Sequence, residues 1–149
     1  MMSDEASAAV RSGLGDRVRH WEQPSAIRVY FEVAPEHVPD ATRLLCEKLG
    51  ARLQTASGID GPDTIELLYH WALDGPGVLI MIRTRVERAR PELASITPLC
   101  PAAEWIEREL HELLGIQFRD HPDPRPLLLA EDWPEGNYPL RRDAEGKES

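Results

Sequence analysis

The stretch at 101–114, Pro101-Ala102-Ala103-Glu104-Trp105-Ile106-Glu107-Arg108-Glu109-Leu110-His111-Glu112-Leu113-Leu114, constrains this chain more than any other. Proline suits a first helical position, because its missing N–H would have no partner there. Gly115 follows, as the residue best able to take a left-handed stop. At about 100° per residue, Ala102, Ile106, Leu110 and Leu113 share one face with Trp105 at its edge. Glu109 falls inside that apolar stripe. An isolated buried charge is too costly to keep. Glu109 is therefore either paired with an arginine in the interior or led out to water by a helix slightly out of phase. Glu104, Arg108 and Glu112 stand four apart beside it, a ladder worth about 0.2–0.5 kcal/mol per pair.

Upstream, the pattern is that of an α+β domain. Ile27, Val29, Phe31 and Val33 alternate with Arg28, Tyr30 and Glu32, as in a strand with one buried face. Asp40 is placed to cap a helix over 41–49, with Leu44, Leu45, Cys46 and Leu49 inward and Gly50 as the stop. A strand follows at 51–57, and Gly58-Ile59-Asp60-Gly61-Pro62 has turn chemistry. Residues 64–73 and 78–86 form the arms of a hairpin across Asp74-Gly75-Pro76-Gly77. Ile65, Leu67, Tyr69, Trp71 and Leu73 share one face, yet Leu68, His70, Ala72, Leu79 and Met81 leave the other only partly polar. Strands apolar on both faces need cover on both. A second helix or a partner protein is expected there. Arg83, Arg85, Arg88 and Arg90 make a basic patch, expected to be solvated surface.

Residues 1–24 carry the weakest pattern, a short helix at 6–11 interrupted by Gly13 and Gly15 and the opening of a strand at 18–21 interrupted by Pro24, and are expected as a partly mobile N-terminal arm. A core domain at 25–118 and an extended tail at 119–149 complete the expected division. Residues 95–99 form a linker, with Thr97 or Cys100 as the cap of the helix that follows.

Composition removes several classes of function. The net charge of -9 argues against a nucleic-acid or anionic-membrane surface as main partner. The longest aliphatic run, at 78–82, is far too short to span a bilayer. The acidic start Met1-Met2-Ser3-Asp4-Glu5 is unlike a signal peptide. Cys46 and Cys100 are too few for a disulfide scaffold, which fits a reducing cytoplasm, and Cys46 fits a small core residue. Two cysteines cannot hold a four-thiolate iron–sulfur cluster. His111-Glu112 begins like a zinc-protease helix, but Gly115 stands where the second histidine belongs. Gly13-Leu14-Gly15 lacks the third glycine and preceding strand of a dinucleotide site. No phosphate loop or nucleophile elbow is present.

After Phe118 the chain holds many prolines, beginning with His121-Pro122-Asp123-Pro124-Arg125-Pro126, which oppose helix and interior strand alike. It also holds Leu127, Leu128, Leu129, Trp133, Tyr138, Pro139 and Leu140, too apolar for a free tail. Arg141 and Arg142 add charge near the end. These features suit a segment that lies along a partner. His121 is either a proton carrier or a structural hydrogen-bonding group in the extended loop.

Glu107, Arg108, Glu109, Glu112 and Gly115, followed by His121, Pro122, Asp123 and Arg125, resemble the signature of the 30-kDa (C) subunit family. That family belongs to respiratory complex I, the NADH:quinone oxidoreductase, and to related membrane-bound nickel–iron hydrogenases. The resemblance implies an α+β fold, a mixed and largely antiparallel sheet with packed helices and an extended Pro-rich C-terminal segment. It implies a non-catalytic peripheral-arm subunit with no cofactor of its own and no catalytic or metal-binding residues. The implied partner is the large 49-kDa-type (D) subunit or a hydrogenase large subunit. The implied location is cytoplasmic, at the inner face of the plasma membrane through the complex. The end soon after Arg142 is more similar to the hydrogenase-associated branch. It also implies that a downstream arginine, Arg125, Arg141 or Arg142, pairs with the helix at Glu109. A different reading of the residues is a small stand-alone enzyme or ligand-binding domain built on His121, Glu109 and Arg125.

Overall fold

The computed structural model describes residues 3–123 and 138–141. Its centre is the expected hairpin. Strands β4 (Thr64–Leu73) and β5 (Val78–Glu87) pair antiparallel without a slip from Thr64↔Glu87 to Leu73↔Val78. Because side chains alternate along a strand, Ile65, Leu67, Tyr69, Trp71, Val78, Ile80, Ile82 and Val86 fall on one face, and all are buried. Strand β2 (Arg28–Glu32) lies parallel to β5, from Arg28↔Leu79 to Glu32↔Arg83. Strand β1 (Arg19–Ser25) pairs antiparallel with β2, and β3 (Arg52–Asp60) with β4. The sheet order is therefore β1-β2-β5-β4-β3, and a separate parallel pair joins β6 (Glu92–Ala94) to β7 (Gln117–Arg119). The fold class is as expected, α+β with a mixed, largely antiparallel sheet.

The N-terminal stretch carries regular structure, a longer helix than the one expected at 6–11 and a strand that starts near the one expected at 18–21 and runs on through Pro24. Helix α1 (Ser3–Leu14) buries Ala6, Val10 and Leu14, and β1 is a strand of the sheet. Arg11 lies 4.8 Å over the Trp21 ring, which stacks on Phe31 at 5.5 Å. The apolar stripe recurs only every four residues, too thin to distinguish from a solvated helix before its neighbours are in place. Helix α2 (Val38–Arg43) starts earlier than expected, with a proline in its first turn, and continues into a π-helical turn at Leu44–Lys48. Asp40 accepts a 3.0 Å bond from Arg17 instead of capping. Gly50 ends the segment at φ 67° as expected.

Strand β3 runs on through the first three residues of the loop expected at 58–62, with Gly58 opposite Leu67 and Ile59 opposite Glu66. Gly58 is there for close approach, since a Cβ would overlap the Leu114 side chain. The turn falls later, where Gly61 N–H donates to Thr64 O at 2.9 Å.

All the helices whose buried residues join the core pack on one face. The other face shows Leu79 at 40% and Ile59 at 50% exposure, with Tyr30, Leu68, His70 and Met81 half-buried. Among the described residues no second helix covers this face. Arg83 and Arg85 pair there with Glu66 and Glu32 at 3.2–3.8 Å, and Arg88 pairs with Asp60 at 2.8 Å. The basic patch is thus a surface ion-pair network, as expected.

Two consequences are measurable. Leu14 is 2% exposed, so Leu14→Ala should cost about 2–5 kcal/mol in denaturant unfolding; no change would return the N-terminus to a loose arm. Cys46 packs beside Cys100, and burial with hydrogen bonding to that neighbour pushes its thiol up to about 12. Below that pH it stays protonated and poorly nucleophilic. Iodoacetamide should label Cys46 slowly at neutral pH in the native chain and quickly in urea, read by mass spectrometry.

Candidate functional site

Helix α3 (Ala103–Leu114) lies over β3, and it turns Ala103, Glu107, Leu110 and Leu114 inward. Its start needs no side-chain cap: Ala102 is the capping residue, and neither Thr97 nor Cys100 serves. Of the pair, Glu107 is buried, at 1% exposure, whereas Glu109 is exposed on the far side of the helix. The stripe centred on Ala102 and Leu113 is one step out of phase. An aliphatic count favours that stripe, but a buried carboxylate adopts whichever face supplies its donors.

Those donors come from the loop after β6. Ser95 Oγ and Thr97 Oγ1 donate to Glu107 Oε1 at 2.5 and 2.6 Å, and Ile96 N–H donates to Oε2 at 2.9 Å. Thr97 N–H in turn donates to Ser95 Oγ at 3.1 Å, which fixes that hydroxyl. A carboxylate accepting several short hydrogen bonds is stable in the interior without an arginine. The segment read as a linker is therefore the cradle of the site. Its signal in the sequence is two hydroxyl residues flanking a single apolar one, Ser95-Ile96-Thr97, ahead of the helix.

His121 closes the same cluster. Its Nδ1 accepts from Asp123 N–H at 2.9 Å, which leaves Nε2 to donate to Glu104 O at 2.9 Å. Nε2 stands 3.9 Å from Glu107 Oε1, and the side chain is 4% exposed. These bonds tie the start of the tail to the first turn of α3. Arg108 reaches Asp123 at 3.7 Å and lies over the Trp105 ring at 5.5 Å. Tyr69, beneath the helix, is buried, and burial together with the negative Glu107 pushes its phenol well above the usual range.

The other end of α3 is held by the returning chain. Gly115 has φ 78°, and a Cβ there would meet the Tyr138 ring. Leu140 N–H donates to Leu113 O at 2.9 Å, and Arg141 Nε to Leu114 O at 2.6 Å. Arg141 also lies 4.9 Å over Tyr138. The arginine caps the negative end of the helix rather than pairing with Glu109. Glu112 is buried beside this end; Pro122 and Leu140 are exposed, and Pro139 is half-buried. Arg125, Leu127, Leu128, Leu129, Trp133 and Arg142 lie outside the described residues.

Glu107, Arg108, His121 and Asp123 are thus brought together, while Glu109 is not. The cleft beside them, lined by Glu107, Arg108, His111, Gln117, Phe118 and His121, is about 70 Å³, well below the roughly 300–1,000 Å³ of small-molecule sites. Among the described residues, no group of three or more His, Cys, Asp or Glu is placed to hold a metal ion.

A family model described as "Respiratory-chain NADH dehydrogenase, 30 Kd subunit" matches residues 31–149. The chain belongs to that family. It is 38% identical over 132 residues to the C subunit of the F(420)H(2) dehydrogenase of Methanosarcina mazei, covering 84% of this chain and 79% of that one. It is 32% identical over 124 residues to the membrane-bound hydrogenase subunit beta of Pyrococcus furiosus, covering 80% and 71%. It is 38% identical over 93 residues to the C/D subunit of the NADH-quinone oxidoreductase of Phocaeicola vulgatus, covering 61% of this chain and 18% of that protein. A chain of the membrane-bound sulfane sulfur reductase, an archaeal respiratory membrane complex, has the same fold at TM-score 0.84 and 22% identity, covering 96% and 85%. Relatives of this 30-kDa family member are subunits of complex I-like and membrane-bound hydrogenase complexes.

Stranding the donors around Glu107 costs about 3–5 kcal/mol. Glu107→Ala should therefore melt roughly 6–20 °C lower than the parent chain, and Glu109→Ala within about a degree or two of it. Equal shifts for the two variants in a thermal scan would mean that the cradle does not hold the helix.

Proposed function

We propose that this chain is a cofactor-free, non-catalytic subunit of a complex I-like or membrane-bound hydrogenase complex, docking against the large 49-kDa-type subunit or a hydrogenase large subunit. The observation that carries the reading is the use of the family's motif residues. Glu107, His121, Arg108 and Asp123 are engaged in holding α3 to its neighbouring loops. Glu107 and His121 spend these hydrogen bonds on hydroxyl and backbone groups of the fold and Arg108 pairs with Asp123, which suits a structural role better than a catalytic one. The small cleft beside them agrees, and so does the occurrence of a C/D relative, in which a segment like this one is part of a much longer chain.

In this reading the segment beginning at His121 is presented from a fixed base. His121 anchors it at the start of α3, and Tyr138 to Arg141 anchor it at the end. Anchoring both ends lowers the entropy lost when a partner is bound. Leu127, Leu128, Leu129, Trp133 and Arg142 are proposed to contact the large subunit, with aromatic and aliphatic groups of the kind that dominate interfaces. No helix among the described residues is long and apolar enough to cross a membrane. Attachment to the inner face of the plasma membrane is proposed to run through the complex.

The test is purification of the tagged full-length chain, alone and from native membranes. Alone it should show no visible absorption band, no stoichiometric iron, nickel or flavin, and no NADH oxidation. From membranes it should bring down the large subunit, and Trp133→Ala should reduce that recovery without changing the melting temperature. A chain that carries a bound redox group, or that never recovers the large subunit, contradicts the reading.

A further inference from the structure

The two edges of the five-stranded sheet are finished differently. On one side β1 has two register irregularities, at Arg19/Glu22 and Glu22/Ser25, and contains Pro24. His20 within it has φ 52°, a left-handed conformation that twists the strand away. Its outward residues include Arg19, His20 and Glu22, all exposed. Bulges, proline and charge are the devices by which proteins stop an edge from pairing with another chain.

The β3 edge has almost none of these. It is nine residues long, and Gln54 to Ile59 include no charged residue and no proline. Its one irregularity sits between Leu53 and Thr55. Arg52 and Asp60 at its ends are engaged by Asp74 and Arg88, so neither charge guards the middle. Residues 53–59 pair with β4 on one side only, and no described residue bonds their other side. In an antiparallel ladder, alternate residues direct their N–H and C=O outward. This edge therefore offers a row of unmade backbone hydrogen bonds, flanked on the open face by Ile59 at 50% exposure.

We propose that the large subunit adds an extended strand to this sheet along the outer edge of β3, by main-chain hydrogen bonds to residues 53–59. The inference rests on the docking reading above and names a surface for it. Unmade N–H and C=O groups in strand spacing recognise another extended backbone. They do not recognise a helix, whose backbone bonds are internal, and the net charge of -9 disfavours a nucleic acid. The incoming strand would place alternate side chains beside Thr55, Ser57 and Ile59 on the open face. On the other face they would lie beside Ala56 and Gly58, next to α3. A partner here would extend the sheet without moving the core.

Hydrogen–deuterium exchange of the full-length chain, alone and in the purified complex with its large subunit, tests this. Alternate amides within 53–59 should exchange at least about tenfold more slowly in the complex. Thr55→Lys/Ser57→Lys, at two exposed positions, should keep the melting temperature and reduce large-subunit recovery at least about tenfold. If the complex forms with exchange across 53–59 unchanged, docking stands and the strand addition is wrong. If the isolated chain protects this edge in a concentration-dependent way, the occupant is a second copy and the proposal falls. If the unmodified chain recovers no large subunit, the docking reading fails first and takes this inference with it.

Discussion

More of this fold hangs on the cradle around Glu107 than on any other contact. One buried carboxylate gathers the loop after β6, through Ser95, Ile96 and Thr97, and stands beside His121 at the start of the C-terminal segment. Helix α3 could bury a leucine at this position with no electrostatic cost. A leucine, however, would not select the loop conformation or say where the chain must go after Arg119. A buried charge with a full set of donors stabilises one arrangement strongly and penalises the alternatives, because any shift leaves donors and acceptor unpaired. The helix is thereby fixed in rotation, and that rotation puts Leu110 and Leu114 over Gly58 and Gly115 under Tyr138.

The two ends of α3 are held by different chemistry. At the beginning, the two ring nitrogens of His121 bond one backbone group each, so a single side chain joins two segments. At the end, Gly115 takes a conformation that a side chain would strain, and Arg141 supplies the cap. Both devices draw on the chain that follows the helix, so α3 and the anchors of the C-terminal segment form one unit. The sheet beneath supplies an apolar floor, with Tyr69 and Leu67 of the hairpin buried next to β3.

Among the described residues the sheet is covered on one face and carries one guarded and one unguarded edge, an unusual finish for an isolated protein. It is an ordinary one for a subunit. The uncovered face keeps its arginines and glutamates in mutual pairs, which holds solubility without a large net field. The polar finish of that face and the bare β3 edge agree with membership of a family whose relatives are subunits of larger complexes.

Much of this was legible in the residues. The hairpin at Asp74-Gly75-Pro76-Gly77, the helix ended by Gly115 and the stop at Gly50 follow from local backbone chemistry and strand or helix period, which act over a few residues. The motif from Glu107 to Asp123 identified the family for the same reason, since residue type and spacing survive in one dimension. Which glutamate is buried did not follow. Glu107 and Glu109 differ by about 200° around a helix, and the choice lay with donors on Ser95, Ile96 and Thr97, in a segment with no helical or strand pattern. Nor did the full length and burial of the N-terminal helix follow, because Val10 and Leu14 become core only when Trp21, Phe31 and Leu44 are folded beside them. Gly58 read as a turn, when it is a strand residue kept small by Leu114. Local propensity and period are properties of neighbours in sequence. Burial of a charge, close approach at a glycine and the finish of a sheet edge are properties of neighbours in space, and they exist only once the chain has folded.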